Sequence, residues 1–469
     1  MLPGNSQGPW RISGGDPETT CSWSNEAAPE HSILAAPGDP QYFVGFRRKT
    51  PEGPTDAYYN WSLPSGDWDP GLHLAPDAPD VNAASDPWTA THGGIGVDLL
   101  SYVGVPGFEV VAGGTTPASL GSGGAWTVQP RRIDRVAAMG DGPVMATDLG
   151  APTLSVAYVS QEAQGKTIFV DRFAPCDTGD LGSDTCPYAW DTPVAVTSGS
   201  NLLGHPRIVH NPCSHRVMLL YVEIIKGLMP TFVGRVRVIN AAGQVSGPKT
   251  IVSGPAVGLP ECTGKGGQAP ACGTNTGDCR IPGATDCWAL VSHVDAATWR
   301  DPDSGQCLLY VALDTRDGPA NRATVRTAVV DISDDEMTDM DILESFETTD
   351  LGTSNRDLSG TIVVDRSTGA AGVFYYRQEA GDPCDTTFRG KVRAGPGDPW
   401  QDVGPLSGHF PSMVVAPNGM ADDVRGASFN RPGRLFVAWA QPVPTSDEAC
   451  PTCQGARMSL AVMGMEVVP

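Results

Sequence analysis

Three of the chain's eight histidines and four of its aspartates stand in one kind of place, just ahead of a short apolar run. They are His31 (HSILAA), Asp86 (DPWTAT), Asp141 (DGPVMAT), His205 (HPRIV), Asp286 (DCWALVS), Asp357 (DLSGTIVV) and His409 (HFPSMVV). Gathered together, three imidazoles and four carboxylates are the side chains of a divalent-metal site. Unpaired like charges raise one another's pKa values, so such a ring is costly without a cation in it. Imidazole donors favour zinc or another transition metal, whereas calcium, the second candidate, takes oxygen ligands. His31, His205 and His409, assisted by Asp141 and Asp357, would leave one position open, as in catalytic zinc sites. The metal would lower the pKa of a bound water and polarise an ester, lactone or phosphoester bond. Asp86 or Asp286 would orient that water or take its proton. Arg207 would steady an anion or form a salt bridge with a neighbouring loop. Against this stands a plainer reading: Asp before Pro or Gly is ordinary turn chemistry, and the ring is a structural polar lining.

Something must bring these residues together. The steps between them are 55, 55, 64, 81, 71 and 52 residues. Recurrence at this period marks an array, a solenoid or a propeller. Each opening residue is followed by an apolar strand, a turn, and a second strand carrying an aromatic: Phe46, Tyr102, Tyr158, Tyr221, Tyr310, Tyr376 and Trp439. Turn chemistry separates the pair, as in Asp365 to Gly369 and Ala416 to Gly419. Third strands follow, and Trp68, Trp126, Trp190 and Trp400 mark outer fourth strands in several units. The final unit lacks this element, while Gly8-Pro9-Trp10-Arg11-Ile12 supplies a spare copy at the N-terminus. The expected fold is therefore all-β: a single seven-bladed β-propeller over 1–469, its N-terminal strand completing the last blade. The blades fall at 31–75, 86–133, 141–198, 205–253, 286–347, 357–406, and 409–469 with 8–14. A second set, His92, Asp148, His210, His293 and Asp365, is expected to cap turns at the ends of the first strands.

Composition agrees with strands and turns. Gly 56 and Pro 42 are too many for a helical chain of this length. A net charge of −22 offers no basic stripe for phosphates, so nucleic acid is excluded as a partner. No apolar stretch has the length of a membrane span. Twelve cysteines point to disulfides and an oxidising compartment. The expectation is a secreted, periplasmic or cell-surface monomer acting on a small molecule, its export signal absent from this sequence. Cys176 and Cys186 bracket one loop; Cys262, Cys272, Cys279 and Cys287 crowd another; Cys21, Cys213, Cys307 and Cys384 have no partner that spacing reveals.

The repeat rhythm resembles the sialidase-like (BNR-type) seven-bladed propellers over nearly the whole chain. No S-x-D-x-G-x-T-W box and no sialidase arginine triad is present, so the resemblance implies the fold and not that activity. In such propellers the loops entering the innermost strands face the ligand, which would place the seven opening residues around the channel mouth. The architecture also resembles that of propeller hydrolases acting on lactones, esters or organophosphates. The main expectation is thus a metal-dependent hydrolase. Two alternatives stand beside it. One is a carbohydrate-active propeller using paired carboxylates such as Asp86 and Asp286, with Trp88 and Trp288 as channel aromatics. The other is a non-catalytic binding propeller at the cell surface.

Overall fold

The computed structural model of the chain is all-β. It describes residues 4–11, 31–35, 42–49, 55–61, 73–74, 83–89, 95–104, 108–115, 127–133, 144–147, 154–162, 165–174, 189–190, 192–227, 230–256, 293–316, 323–335, 341–349, 355–378, 386–407, 418–421, 434–443 and 457–467. Among the described residues the strands form seven antiparallel sheets. Six have four strands; in the third, Ala189–Trp190 and Val194–Gly199 both pair with Gly165–Ala174. Numbered in chain order, the sheets begin with the first strands His31–Ala35, Ala83–Thr89, Val144–Thr147, Leu202–His210, Val294–Arg300, Arg356–Val364 and Asn418–Ala421.

Within each sheet the strands run up and down in sequence order, with one exception. The seventh sheet takes Arg434–Val443 and Arg457–Glu466 from the C-terminal end and is completed by Gly4–Arg11. Trp10 pairs with Val462 and Arg11 with Ala461, so the expected N-terminal strand is there. This pairing covers a strand edge that would otherwise invite association.

Each first strand packs against the first strand of the next sheet, and the seventh packs back against the first. The sheets thus radiate from a ring of first strands, which is the layout of a β-propeller. Burial follows from it. In the second strands Val217–Ile225 (VMLLYVEII) and Ala371–Gln378 (AGVFYYRQ), Val217–Val222 and Ala371–Tyr376 are buried on both faces, so they read as apolar runs without alternation. The fourth strand Ile342–Glu347 alternates between half-buried and exposed residues, as an outer edge must.

The core is divided into slabs between neighbouring sheets. Leu220, Val222 and Phe232 of the fourth sheet meet Leu309, Val311 and Leu313 of the fifth. Between the sixth and seventh, the rings of Phe388 and Trp439 stack at 4.7 Å and 15°. Among the described side chains, the repeated aromatics Tyr158, Tyr221, Tyr310, Tyr376 and Trp439 are buried but do not share one face. Tyr221 fills the gap before its own sheet, whereas Tyr310 and Tyr376 fill the gaps after theirs. Among the described residues one disulfide crosses a gap: Cys213, in the first hairpin turn of the fourth sheet, is bonded to Cys307 on the second strand of the fifth, with Cα atoms 6.0 Å apart.

The hairpin turns explain much of the register. Asn211, Asp301 and Asp365 open equivalent turns, and their side chains accept the N–H of the residue two positions on at 2.8, 2.9 and 2.9 Å. The fifth turn residue has positive φ in all three: His215, Gly305 and Gly369. Asp365 therefore caps a turn, as its position suggests. Ser304 and the N–H of Asp303 hold the Asp301 carboxyl below the usual carboxylate range.

Three expectations are corrected here. The first strand of the fifth sheet is Val294–Arg300, so Asp286 lies eight residues ahead of it, outside the described residues, and opens no described strand. His293 accordingly precedes its strand and does not end it. Asn418 and Gly419 pair with Ala438 and Val437, so they belong to a strand where a turn was expected.

Candidate functional site

The seven expected ring residues meet different fates. His31 opens its strand opposite Phe46, and Asp86 lies midway along its strand opposite Asp98. His205 sits in the irregular stretch between Gly204 and Arg207. For these three the backbone position is described. Asp141, Asp286 and His409 lie outside the described residues, as does Trp288. Among the described residues no group of three or more His, Cys, Asp or Glu side chains is placed to hold a metal.

Asp357 is fully described, and it serves another partner. It is buried beside Arg377, whose Nε donates to Oδ1 at 2.8 Å and Nη2 to Oδ2 at 3.0 Å. Arg377 Nη2 also donates to the Thr348 carbonyl at 3.2 Å, tying the pair to the end of the fifth sheet. Both carboxylate oxygens are thus engaged, as a buried charge requires. Asp357 is a cross-strand clamp rather than an open metal ligand. The reason is a slip of two residues in the expected alignment. Counting back six from the turn residues Asn211, Asp301 and Asp365 gives His205, Asp295 and Ser359. Bulges between Gly204 and Arg207 and between Leu358 and Thr361 hide this equivalence.

Asp295, which the sequence reading passed over, is a hub of the ring. Its Oδ1 lies 2.8 Å from Arg207 Nε, a charge contact with the N–H off line, and accepts the Ala296 N–H at 2.8 Å. Its Oδ2 accepts the Thr361 hydroxyl and, at 3.0 Å, the Ile362 N–H. Three consecutive first strands are joined through one carboxylate. Arg207, expected to steady an anion or form a salt bridge, spends its charge on this neighbour. Asp314 makes a second link: Ser359 and Gly360, in the bulge, donate their N–H groups to it at 3.1 and 3.2 Å. Burial pushes its carboxyl up to about 8, against the pull of these donors. Ser359 takes a φ of 55°, and Gly360 has room for no Cβ because Val325 lies against it. These acids hold sheets together.

Partly open polar chemistry is found in the gap between the fifth and sixth sheets. Glu344, on the fourth strand of the fifth sheet, accepts from Arg393 Nη1 at 2.6 Å and from Trp400 Nε1 at 2.7 Å. Arg393 ends the third strand of the sixth sheet, Thr386–Arg393, and Trp400 directly precedes its fourth, Gln401–Val403. The guanidinium lies between two rings, 5.2 Å from the centroid of Tyr310 and 4.8 Å from that of Trp400, and Nη2 donates to the Tyr310 hydroxyl at 3.0 Å. Burial raises the Tyr310 pKa, so this hydroxyl stays protonated. Phe346 packs against Trp400 at 4.8 Å. The Arg393 side chain is 2% exposed and that of Glu344 33%. The result is an aromatic wall carrying one fixed carboxylate–guanidinium pair at a partly open edge. The sequence marked Trp400 only as an outer-strand signal and gave no notice of Arg393 or Glu344.

No protein-family model matches this chain, and no curated protein matches it. Solved structures with similar folds include a fungal lectin from Aleuria aurantia, described as a six-bladed β-propeller with a novel fucose recognition mode. It is 9% identical, covers 83% of this chain and 99% of its own, and has a TM-score of 0.40. The phage phi92 endosialidase is 9% identical, covers 100% of this chain and 70% of its own, with a TM-score of 0.44. A leech intramolecular trans-sialidase is 8% identical, covers 79% and 67%, with a TM-score of 0.41.

Proposed function

We propose that this chain is a seven-bladed β-propeller that binds carbohydrate, with Glu344, Arg393 and Trp400 at the binding edge between its fifth and sixth blades. The seven sheets and their successive first-strand contacts support the blade count, and the pairing of Gly4–Arg11 with Arg457–Glu466 supports closure by the N-terminal strand. The blade boundaries then follow the sheets. The Cys213–Cys307 disulfide supports an oxidising compartment.

One observation carries the binding reading: a half-exposed carboxylate fixed by both a guanidinium and an indole, on a wall of aromatic rings. Sugars present hydroxyls that both donate and accept beside patches of C–H surface. A site for them needs oriented polar groups and an aromatic face, with little rearrangement on binding. Glu344 offers acceptor lone pairs, Arg393 supplies donors, and Trp400 and Phe346 supply surface. Glu344 and Arg393 already neutralise each other's charge, so binding here needs no divalent cation. A printed array of neutral and acidic glycans tests the reading. Selective retention on neutral glycans, lost in Trp400→Ala, is expected; an array without signal, or one unchanged by Trp400→Ala, overturns it.

A further inference from the structure

Resting on the carbohydrate reading, we infer that Trp299 Nε1 and Arg393 Nε are specificity-determining donors of the same site, set to take uncharged acceptor oxygens of the bound sugar. Both atoms are buried donors that meet no acceptor among the described residues. Buried donors are nearly always paired, because leaving one bare costs much of its desolvation. Both also belong to one place. Trp299, at the end of the first strand of the fifth sheet and 4% exposed, packs in the cluster that holds Tyr310, with Phe346 and Trp400 against its edge. Arg393 lies over Tyr310 and Trp400. The Cε2–Cζ2 edge of the Trp299 indole faces the turn of the sixth sheet. A Cβ built on Gly369 would come within 3.0 Å of Trp299 Cε2 and 2.9 Å of Pro396 Cδ, and Pro396 is three residues from Arg393. The two donors therefore flank the same gap from opposite sheets.

The charge of the acceptor follows from the pair already present. Glu344 Oε2 sits 2.6 Å from Arg393 Nη1, so the guanidinium is neutralised before any ligand arrives. A carboxylated sugar would bring a second negative charge beside Glu344 in a gap of low dielectric, where like charges repel strongly. Hydroxyl, ring or acetal oxygens have no such cost. The site is built for neutral sugars over acidic ones.

The test uses the intact chain labelled with ¹⁵N-tryptophan and a panel of methyl glycosides of galactose, glucose, mannose, fucose and N-acetylneuraminic acid. The Trp299 signal is assigned by its loss in Trp299→Phe. A neutral glycoside is expected to shift both the Trp299 and Trp400 indole N–H signals, and to bind about tenfold more weakly to Trp299→Phe, the equivalent of one lost hydrogen bond. The acidic glycoside is expected to bind at least about tenfold more weakly than the best neutral one. A Trp400 shift with the Trp299 signal unmoved overturns this inference and leaves the carbohydrate reading standing. No shift at any tryptophan with any glycoside overturns both. Should Trp299→Phe fail to fold, Trp299→Tyr or sequential backbone assignment of the wild type identifies the Trp299 signal among the eleven indoles, and Trp400→Ala identifies that of Trp400.

Discussion

Asp314, on the second strand of the fifth sheet, accepts the backbone N–H of Gly360 at 3.2 Å across the gap to the sixth, and that of Ser359 at 3.1 Å. One carboxylate thereby fixes a bulge that another sheet must adopt. Its environment also makes the contact sensitive to pH. Burial raises the folded-state pKa to about 8, above the ordinary 3.8. The folded protein thus holds a proton that the unfolded chain has released through the window between those values, and stability falls as pH rises across it. Thermal melts from pH 5 to pH 9 should show a decline that flattens in Asp314→Asn. An unchanged slope in the variant would refute the assignment.

The Asp357–Arg377 pair should behave as a buried clamp. Asp357→Ala strands a guanidinium that is 5% exposed, and such breaks cost about 3–5 kcal/mol. Urea denaturation of the variant should show a loss of that size. A change below about 1 kcal/mol would mean that the pair is not buried in solution.

The Cys213–Cys307 bond joins two sheets across a sequence separation of 94. Replacing both cysteines by serine should lower stability by about 2–5 kcal/mol. Mass mapping of the unreduced protein should recover a peptide pair containing both residues. Recovery of either cysteine in another pair would contradict the placement.

Much of the fold could be read from the sequence, and physics says why. Runs such as Val217–Val222 and Ser155–Ser160 are buried on both faces, so composition alone announces them. Gly8-Pro9-Trp10 is recognisable as the missing outer strand because it copies the Trp-marked element of several units that the last unit lacks. The ring residues were harder. Bulges before Arg207 and Thr361 shift register without altering composition, so Asp357 was matched to His205 when Ser359 is its counterpart. The glycine-rich stretch before Val294 placed an apolar DCWALVS where a first strand was sought, and Asp295 was missed. The Glu344 cluster had no local signal at all. Its members lie 49 and 56 residues apart and meet only because two sheets pack.

The most direct test of the carbohydrate account is calorimetric titration of the intact protein, Trp400→Ala and Glu344→Gln with the neutral methyl glycosides. The account predicts saturable binding of at least one glycoside to the wild type, weakened about tenfold or more in both variants while both remain folded by circular dichroism at the titration temperature. Absence of binding to every glycoside, or equal affinity in all three proteins, would contradict it.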